Sequence, residues 1–362
     1  MIGALPIRPE HLAVDPPARR RLQRFLTDSA AFQAQLAGLS GPVTIADPPV
    51  LVALGNDLAA PALAPGKSLR GQPTIGVAFF ERSLLPAEVV ARASGYALIV
   101  TGSSWNKRVL RAHDVGRVRT VLQGVDPALF HPAPRTGHFA DRFCVFSGGK
   151  LALRKGQDLV LEAFRRFAIR HPEALLVTAW HSPWPALART PDESPLRLQP
   201  IPITRDGRVD VLGWAAQNGV PAERIVDLGA VPNAMMPSIL REMDVAVFPN
   251  RCEGGTNLVA MEAMACGLPT ILSANTGHLD LVDEELCVPL HRQAPWPGER
   301  GPLGDVPGWG ESAIDEIVEA LERLHVDPEA ARLMGARAAA RIRGLTSRHT
   351  AQTMKRVVLN CH

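Results

Sequence analysis

The chain has 362 residues, 46% of them hydrophobic and 21% charged, enough for two domains of ordinary size with separate cores. Thirty-nine Lys and Arg against 36 Asp and Glu leave a net charge of +3, too small and too scattered for a nucleic-acid partner. No apolar run approaches the roughly twenty residues needed to cross a bilayer, and five cysteines without CxxC spacing point to free thiols of a reducing cytoplasm rather than a disulfide framework or zinc site.

The opening residues, MIGALPIRPEHL, have no charged segment leading into an apolar core, so no signal peptide is expected. Residues 18–35 show a helical pattern. Its basic run, Arg19-Arg20-Arg21 with Arg24, reads as a solvated helix face and leaves peripheral contact with the inner membrane surface open. Short apolar runs follow at 43–46, 51–54, 74–79, 97–101 and 118–122, with an amphipathic helix at 105–113. Strands alternating with helices predict a parallel sheet covered on both faces. HPAPRTG, at 131–137, is the best linker in the sequence. We therefore expect a first domain at 1–135, a second at 136–345, and a closing helix at 346–362 that packs back on the first.

A second alternation begins with a strand at 143–146, followed by Ser147-Gly148-Gly149-Lys150 and then Arg154-Lys155-Gly156. Helix 158–170 carries Val160, Phe164 and Phe167 on one face. A strand at 175–179 precedes an irregular, proline-bearing region, 180–220, with three Trp. Its cluster Trp180-His181-Ser182-Pro183-Trp184 is suited either to stacking on a base or sugar or to core packing. Order resumes with a strand at 225–228, a helix at 237–243 and a strand at 245–248. After a Pro/Gly/Trp loop at 295–310, helices are expected at 312–324, 328–343 and 347–359.

Between these lies the most informative stretch, FPNRCEGGTNLVAMEAMACGLPTILSANTG, residues 248–277. It reads as strand, glycine-bearing loop, helix and strand, with Thr256 or Asn257 as N-cap and Gly267 and Pro269 as stop. The Gly254-Gly255 loop leaves backbone N–H groups at a helix N-terminus, where phosphate is favoured. The helix that follows is apolar all round except for Glu262. A carboxylate on a buried helix is costly unless something hydrogen-bonds it. Lys155 beside Gly156, at a helix start where positive charge opposes the macrodipole, is placed for an anion held by the same loop, with Lys150 nearby.

Other nucleotide machinery is missing. There is no GxGxxG after a strand and no GxSxG. Gly66-Lys67-Ser68 looks like the end of a P-loop, but Pro61 stands where its first glycine belongs. No Asp-x-Asp or histidine cluster has metal-ligand spacing, so no metal or other cofactor is expected. Amides and lysines for phosphate, with carboxylates for hydroxyls, suggest a sugar nucleotide.

RCEGGTNLVAMEAMACGLPTI resembles the C-terminal signature of retaining GT-B glycosyltransferases of family 4, the group 1 glycosyl transferases. SGGKLALRKGQDLVLEAF is similar to that family's diphosphate-binding loop and helix, LIVTGSSWNKRVLRAHDVGRVRTVLQGVDPALFHP to the end of its N-terminal domain, and LGAVPNAMMPSILREMDVAVFP, with Val231, to its nucleotide-facing segment. The resemblance implies an α/β GT-B fold, two Rossmann-like domains facing each other across a cleft. It implies transfer from a UDP- or GDP-sugar to an acceptor hydroxyl on a glycan, lipid-linked or small-molecule acceptor, without metal, in surface-polysaccharide or glycoconjugate synthesis. Glu253 then binds donor-sugar hydroxyls, while Gly149, Gly254, Gly255, Thr256, Asn257 and Leu258 line the sugar and phosphates. Glu262 accepts from the ribose, and Lys155 and Lys150 neutralise the leaving diphosphate.

Three departures stand out. Eight residues rather than the family's seven separate Glu253 from Glu262, Lys150 replaces an arginine and loses bidentate phosphate binding, and the N-terminal domain is short. Where many relatives carry a histidine, the strand end GVAFFERSLLP offers Glu81, which we expect to handle the acceptor hydroxyl, with Asn56 near the same pocket. His113, His131, His138 and His181 receive no role. Two rivals remain open: a sugar-nucleotide epimerase on the same scaffold, and a non-catalytic relative that binds nucleotide or glycan.

Overall fold

The computed structural model describes residues 38–45, 49–60, 69–182, 184–296 and 308–361, with scattered helical positions between 20 and 35. The opening residues, half of the expected helix at 18–35 with Arg19 and Arg21, the 61–68 stretch holding Gly66-Lys67-Ser68, Pro183, and much of the 295–310 loop lie outside the described residues.

In the first half, β1 (Val43–Ile45) pairs with β3 (Leu69–Gly71), while β2 (Val50–Leu54), β4 (Thr74–Ala78), β5 (Leu98–Thr101) and β6 (Val118–Thr120) form a parallel sheet in that order. Helices α1 (Ala87–Ala93) and α2 (Ser104–Ala112) connect its strands. Each apolar run seen in the sequence holds one strand. The exceptions are β3, an Leu-Arg-Gly triplet with no apolar pattern of its own, and α1, whose seven residues are too few to show a helical period.

The second sheet has six parallel strands: β7 (Phe143–Gly148), β8 (Ala174–Ala179), β9 (Ile225–Asp227), β10 (Val245–Phe248), β11 (Thr270–Ser273) and β12 (Val288–Leu290). Their spatial order is β12-β11-β10-β7-β8-β9. The chain winds outward one way from β7 and the other way from β10, so the order reverses between these two. That reversal opens a crevice at the carboxyl ends of neighbouring strands, where α/β sheets bind ligands. Strands β10 and β11 are buried throughout, as expected for a sheet covered on both faces.

One face is covered by α3 (Gln157–Arg170), α5 (Val211–Gln217) and α8 (Ile314–Val326), through Phe164, Phe167, Trp214, Ile317 and Leu321. The other face is covered by α6 (Met236–Leu240), α7 (Leu258–Ala265) and α9 (Pro328–Ile342), through Leu240, Met261, Met264 and Ile342. A short helix α4 (Pro185–Ala188) and the antiparallel pair β13 (Gln293–Pro295) and β14 (Gly310–Ser312) complete the domain. The supposedly irregular 180–220 region thus holds two helices. In it Trp180 is buried, donates to Ser147 Oγ at 3.1 Å and packs against Trp214, so this tryptophan serves the core.

Helix α9 starts where Asp327 accepts from Ala330 N at 2.9 Å and Pro328 supplies a fixed φ. Helix α10 (Ser347–Leu359) is capped by Thr346 and crosses back to the first sheet. There Met354, Val357 and Val358 pack on Ile75, Val100 and Val121, and Thr350 donates to the Leu122 carbonyl. Among the described residues, no helix is long and apolar enough to cross a membrane.

Candidate active site

Two loops meet at the crevice, one after β7 and one after β10. Their approach is fixed by glycine: Gly156, at φ +71°, lies so close to Pro249 that a Cβ would sit 2.3 Å from its carbonyl oxygen. The Arg251 N–H then donates to the Arg154 carbonyl at 2.8 Å. A buried ion pair locks the loops. The Arg251 guanidinium, fully buried, donates to both Asp158 oxygens at 2.8 and 2.6 Å and to Glu311, and lies over the Trp296 ring. Such a bidentate, desolvated contact orients the loop between them.

On this frame stands a row of alternating charge. Glu253 accepts from Lys155 Nζ and from Asn250 Nδ2. Arg154 Nη1 lies 3.4 Å from the same carboxylate, and its Nη2 lies 3.4 Å from Glu81 of the first domain. Burial works against ionised Glu253, but Lys155 and Arg154 outweigh it and hold its carboxyl down at about 2. Burial also works against Arg154, yet Glu253 and Glu81 raise it. Lys155 is pulled down by burial, partly offset by Glu253. Glu253 feels two cations, whereas Lys155 has one carboxylate in contact and Arg154 as a like-charged neighbour. The row is an ionised carboxylate set among cations.

Behind Glu253 the backbone is clamped. Its N–H donates to Thr276 Oγ1 at 2.8 Å, and its carbonyl accepts from Gly277 N at 2.9 Å. Thr276 holds φ +40°, rare for a β-branched residue and a sign of local strain. His278, fully buried, is pushed down to about 4, chiefly by burial, with Glu253 opposing. With the Asn257 amide nitrogen facing its Nε2 at 3.1 Å, the ring proton sits on Nδ1 and donates to Ser273 Oγ at 2.9 Å. Ser273 in turn donates to the Asn250 carbonyl.

The first domain closes over these loops. Ser103 caps α2, and its hydroxyl also donates to the Gly254 carbonyl at 2.7 Å. Asp280 places a carboxylate oxygen 2.7 Å from the Ser104 N–H, at the positive end of α2. Gln123 Oε1 accepts from Thr256 N at 3.4 Å, and a Cβ on Gly255 would lie 2.6 Å from the same oxygen. The Glu81 carbonyl accepts from Trp309 Nε1 at 2.7 Å, and its N–H donates to Asn56 Oδ1.

Lys155, Glu253 and Glu81, singled out in the sequence, are therefore brought together, with Gly254, Gly255 and Thr256 adjoining. Gly149 also borders them: at φ +120°, a Cβ there would touch the Lys155 side chain. Glu81 sits in a loop ahead of α1, with Asn56 positioning its backbone. Lys150 makes no hydrogen bond or ion pair within the row but lies within electrostatic reach of it: burial and Arg154 lower its pKa while Glu81 and Glu253 oppose, and its exposed ammonium sits 4.5 Å above the half-exposed Trp184 ring. Asn257 does hold the N-cap position, but at φ +63° its side chain makes no cap and turns to His278 instead. Glu262 stands half-buried on α7 and accepts from Asn233 at 2.8 Å; burial pushes its carboxyl up. Val231 is half-buried against the core beside α6 and α7, and Leu258 is exposed at the start of α7.

Arg154, Asn250, His278, Gln123 and Asp280 were not foreseen as site residues. Arg154 had a signal, standing beside Lys155 in the same loop. Asn250 stands only three residues before the carboxylate it meets but in a loop whose turn the sequence does not specify, while Gln123 and Asp280 carry no signal because their partners lie more than a hundred residues away and His278 meets Asn257 21 residues back.

Residues 142–294 match the family described as "Glycosyl transferases group 1". No curated protein matches the chain by sequence. Among solved structures, the sucrose-phosphate synthase of Thermosynechococcus elongatus is 18% identical, with TM-score 0.63, over 98% of this chain and 81% of its own. Anabaena HepE in complex with UDP is 15% identical, with TM-score 0.58, over 79% and 72%. A Staphylococcus aureus TarM variant, in complex with Fondaparinux, alpha-GlcNAc-glycerol and UDP, is 13% identical, with TM-score 0.53, over 81% and 51%. At these identities the structures show the fold, which is GT-B. The family match spans both crevice loops and marks residues 142–294 as a glycosyltransferase domain.

Proposed function

From a glycosyltransferase domain set on a GT-B scaffold, we propose that this chain moves a sugar from a nucleoside diphosphate to an acceptor hydroxyl with retention of configuration. The observation that carries the reading is the row Lys155–Glu253–Arg154–Glu81 at the strand-order reversal, beside the Gly254-Gly255 loop. A leaving diphosphate gains negative charge as the glycosidic bond breaks, so preorganised cations and amides stabilise the transition state more than the ground state. Lys155 and Arg154 supply that charge without a metal. The diphosphate competes with Glu253 for Lys155, and the carboxylate so released accepts from donor-sugar hydroxyls. Glu262, with Asn233, takes the ribose. Glu81, from the opposite domain, positions the acceptor hydroxyl.

HepE and TarM were solved with UDP, which makes UDP the first nucleotide to test. Melting the chain with UDP, GDP, dTDP and ADP is expected to show a rise with one base, lost in Lys155→Ala. Donor-only incubation of UDP-glucose is then expected to release UDP and free sugar slowly. A new sugar nucleotide in that incubation would overturn transfer in favour of epimerisation, and no binding of any nucleotide would overturn both.

A further inference from the structure

The sequence shows no histidine pair at metal-ligand spacing, but the fold assembles one outside the crevice. His171 follows α3, Glu173 leads into β8, and His325 lies in the last turn of α8. Ligand atoms of the three lie within 4.8 Å of one another. We propose that His171, Glu173 and His325 bind a divalent transition metal, zinc by preference, with water completing a tetrahedron.

The distances suit it. Zinc bonds of about 2.0–2.1 Å place tetrahedral donor atoms about 3.4 Å apart. His171 Nδ1 and Glu173 Oε1 are already 3.5 Å apart. His325 Nε2 and the same oxygen, at 2.8 Å, must open slightly, within reach of a Glu173 side chain that is 38% exposed. The tautomer suits it as well. His171 Nε2 lies 2.8 Å from Glu322 Oε2, so its proton belongs there and the Nδ1 lone pair is left to face Glu173. That is the carboxylate–histidine–metal arrangement that raises ligand basicity. Glu322 is itself held by Arg170 at 3.0 Å.

Packing fixes the rings beforehand. His171 stacks on Phe167 with centroids 4.2 Å apart, and His325 meets Phe143 edge-on at 4.9 Å. Two imidazoles with one carboxylate select zinc, cobalt, nickel or copper over magnesium and calcium, which prefer all-oxygen shells. The site lies at the amino-terminal edge of the second sheet. Strand β7 alone, at roughly 3.3 Å per residue, spans about 17 Å between it and the crevice loops. The ion therefore clamps the ends of α3 and α8 to β8, away from sugar transfer.

The test is titration of the chelator-stripped full chain with Co²⁺, read by visible absorption and by melting. One equivalent is expected to bind, with a tetrahedral spectrum lacking thiolate charge transfer and with a raised melting point. His171→Ala and Glu173→Gln are each expected to weaken binding at least about 100-fold, and Glu322→Gln about 10- to 100-fold. Glu173→Gln preserves volume, so it is expected to melt like the parent in chelator, separating metal loss from misfolding. Absence of stoichiometric binding overturns the proposal. So does binding that survives both His171→Ala and Glu173→Gln, or a spectrum showing cysteine ligation.

Discussion

Replacing Arg154 with Met removes the guanidinium that bridges the domains while keeping most of the side chain's apolar length. Each of its contacts, 3.4 Å to Glu253 and 3.4 Å to Glu81, corresponds to about 5 kcal/mol of Coulomb attraction at an effective dielectric of about 20. Desolvation offsets most of this, and removing one partner of a buried pair usually costs about 3–5 kcal/mol. Here the cost is expected at the low end or below, about 2–3 kcal/mol, because Lys155 and Asn250 still hold Glu253 and because Arg154 and Glu81 are about a fifth exposed. At roughly 2 °C per kcal/mol for a chain of this size, the melting point should fall by about 5 °C. The assay is a double-mutant cycle with Glu81→Gln. Because that change removes the carboxylate left unpaired, the double variant should recover part of the loss, with coupling of about 1 kcal/mol or more. Additive effects, or an Arg154→Met chain that melts like the parent, would refute the reasoning.

Lys155→Ala should lower turnover by about 10²–10³, because a cation aimed at the developing charge is lost; turnover within threefold of the parent would remove Lys155 from the chemistry. His278 is held near 4 by burial and so stays neutral in the fold while the unfolded ring protonates below about 6.5. Stability should therefore decline as pH falls from about 6.5 to 4, by on the order of 3 kcal/mol, and His278→Gln should flatten that slope in melts taken across the window. Glu253, depressed to about 2, adds stability above its unfolded value of about 4.3 that is lost as pH drops toward 2, and Glu253→Gln should abolish that lower limb while holding His278 neutral to still lower pH, since the carboxylate that favours its charged ring is gone. Gly254→Ala places a Cβ 2.7 Å from the Phe80 carbonyl, so it should wedge the domains apart and raise the KM for donor at least about tenfold; unchanged kinetics would show that the loop yields freely.

The parallel α/β layering is legible in the residues alone, because a strand buried on both faces must be a continuous apolar run and its connecting helix must show one apolar stripe. The sequence also marked the two loops that bear Lys155 and Glu253, since glycine beside charged residues at a strand end has few structural uses. It did not reveal β3, whose three residues carry no pattern, nor that Trp180 belongs to the core while Trp184 reaches solvent. Which charges meet is a matter of the folded arrangement. Lys155 and Glu253 stand 98 positions apart, and His171 and Glu322 stand 151 apart. Apolar periodicity reports which side chains leave water, a local property. Pairing of charges depends on where the strand order reverses and where helix ends converge, and both are properties of the assembled sheet.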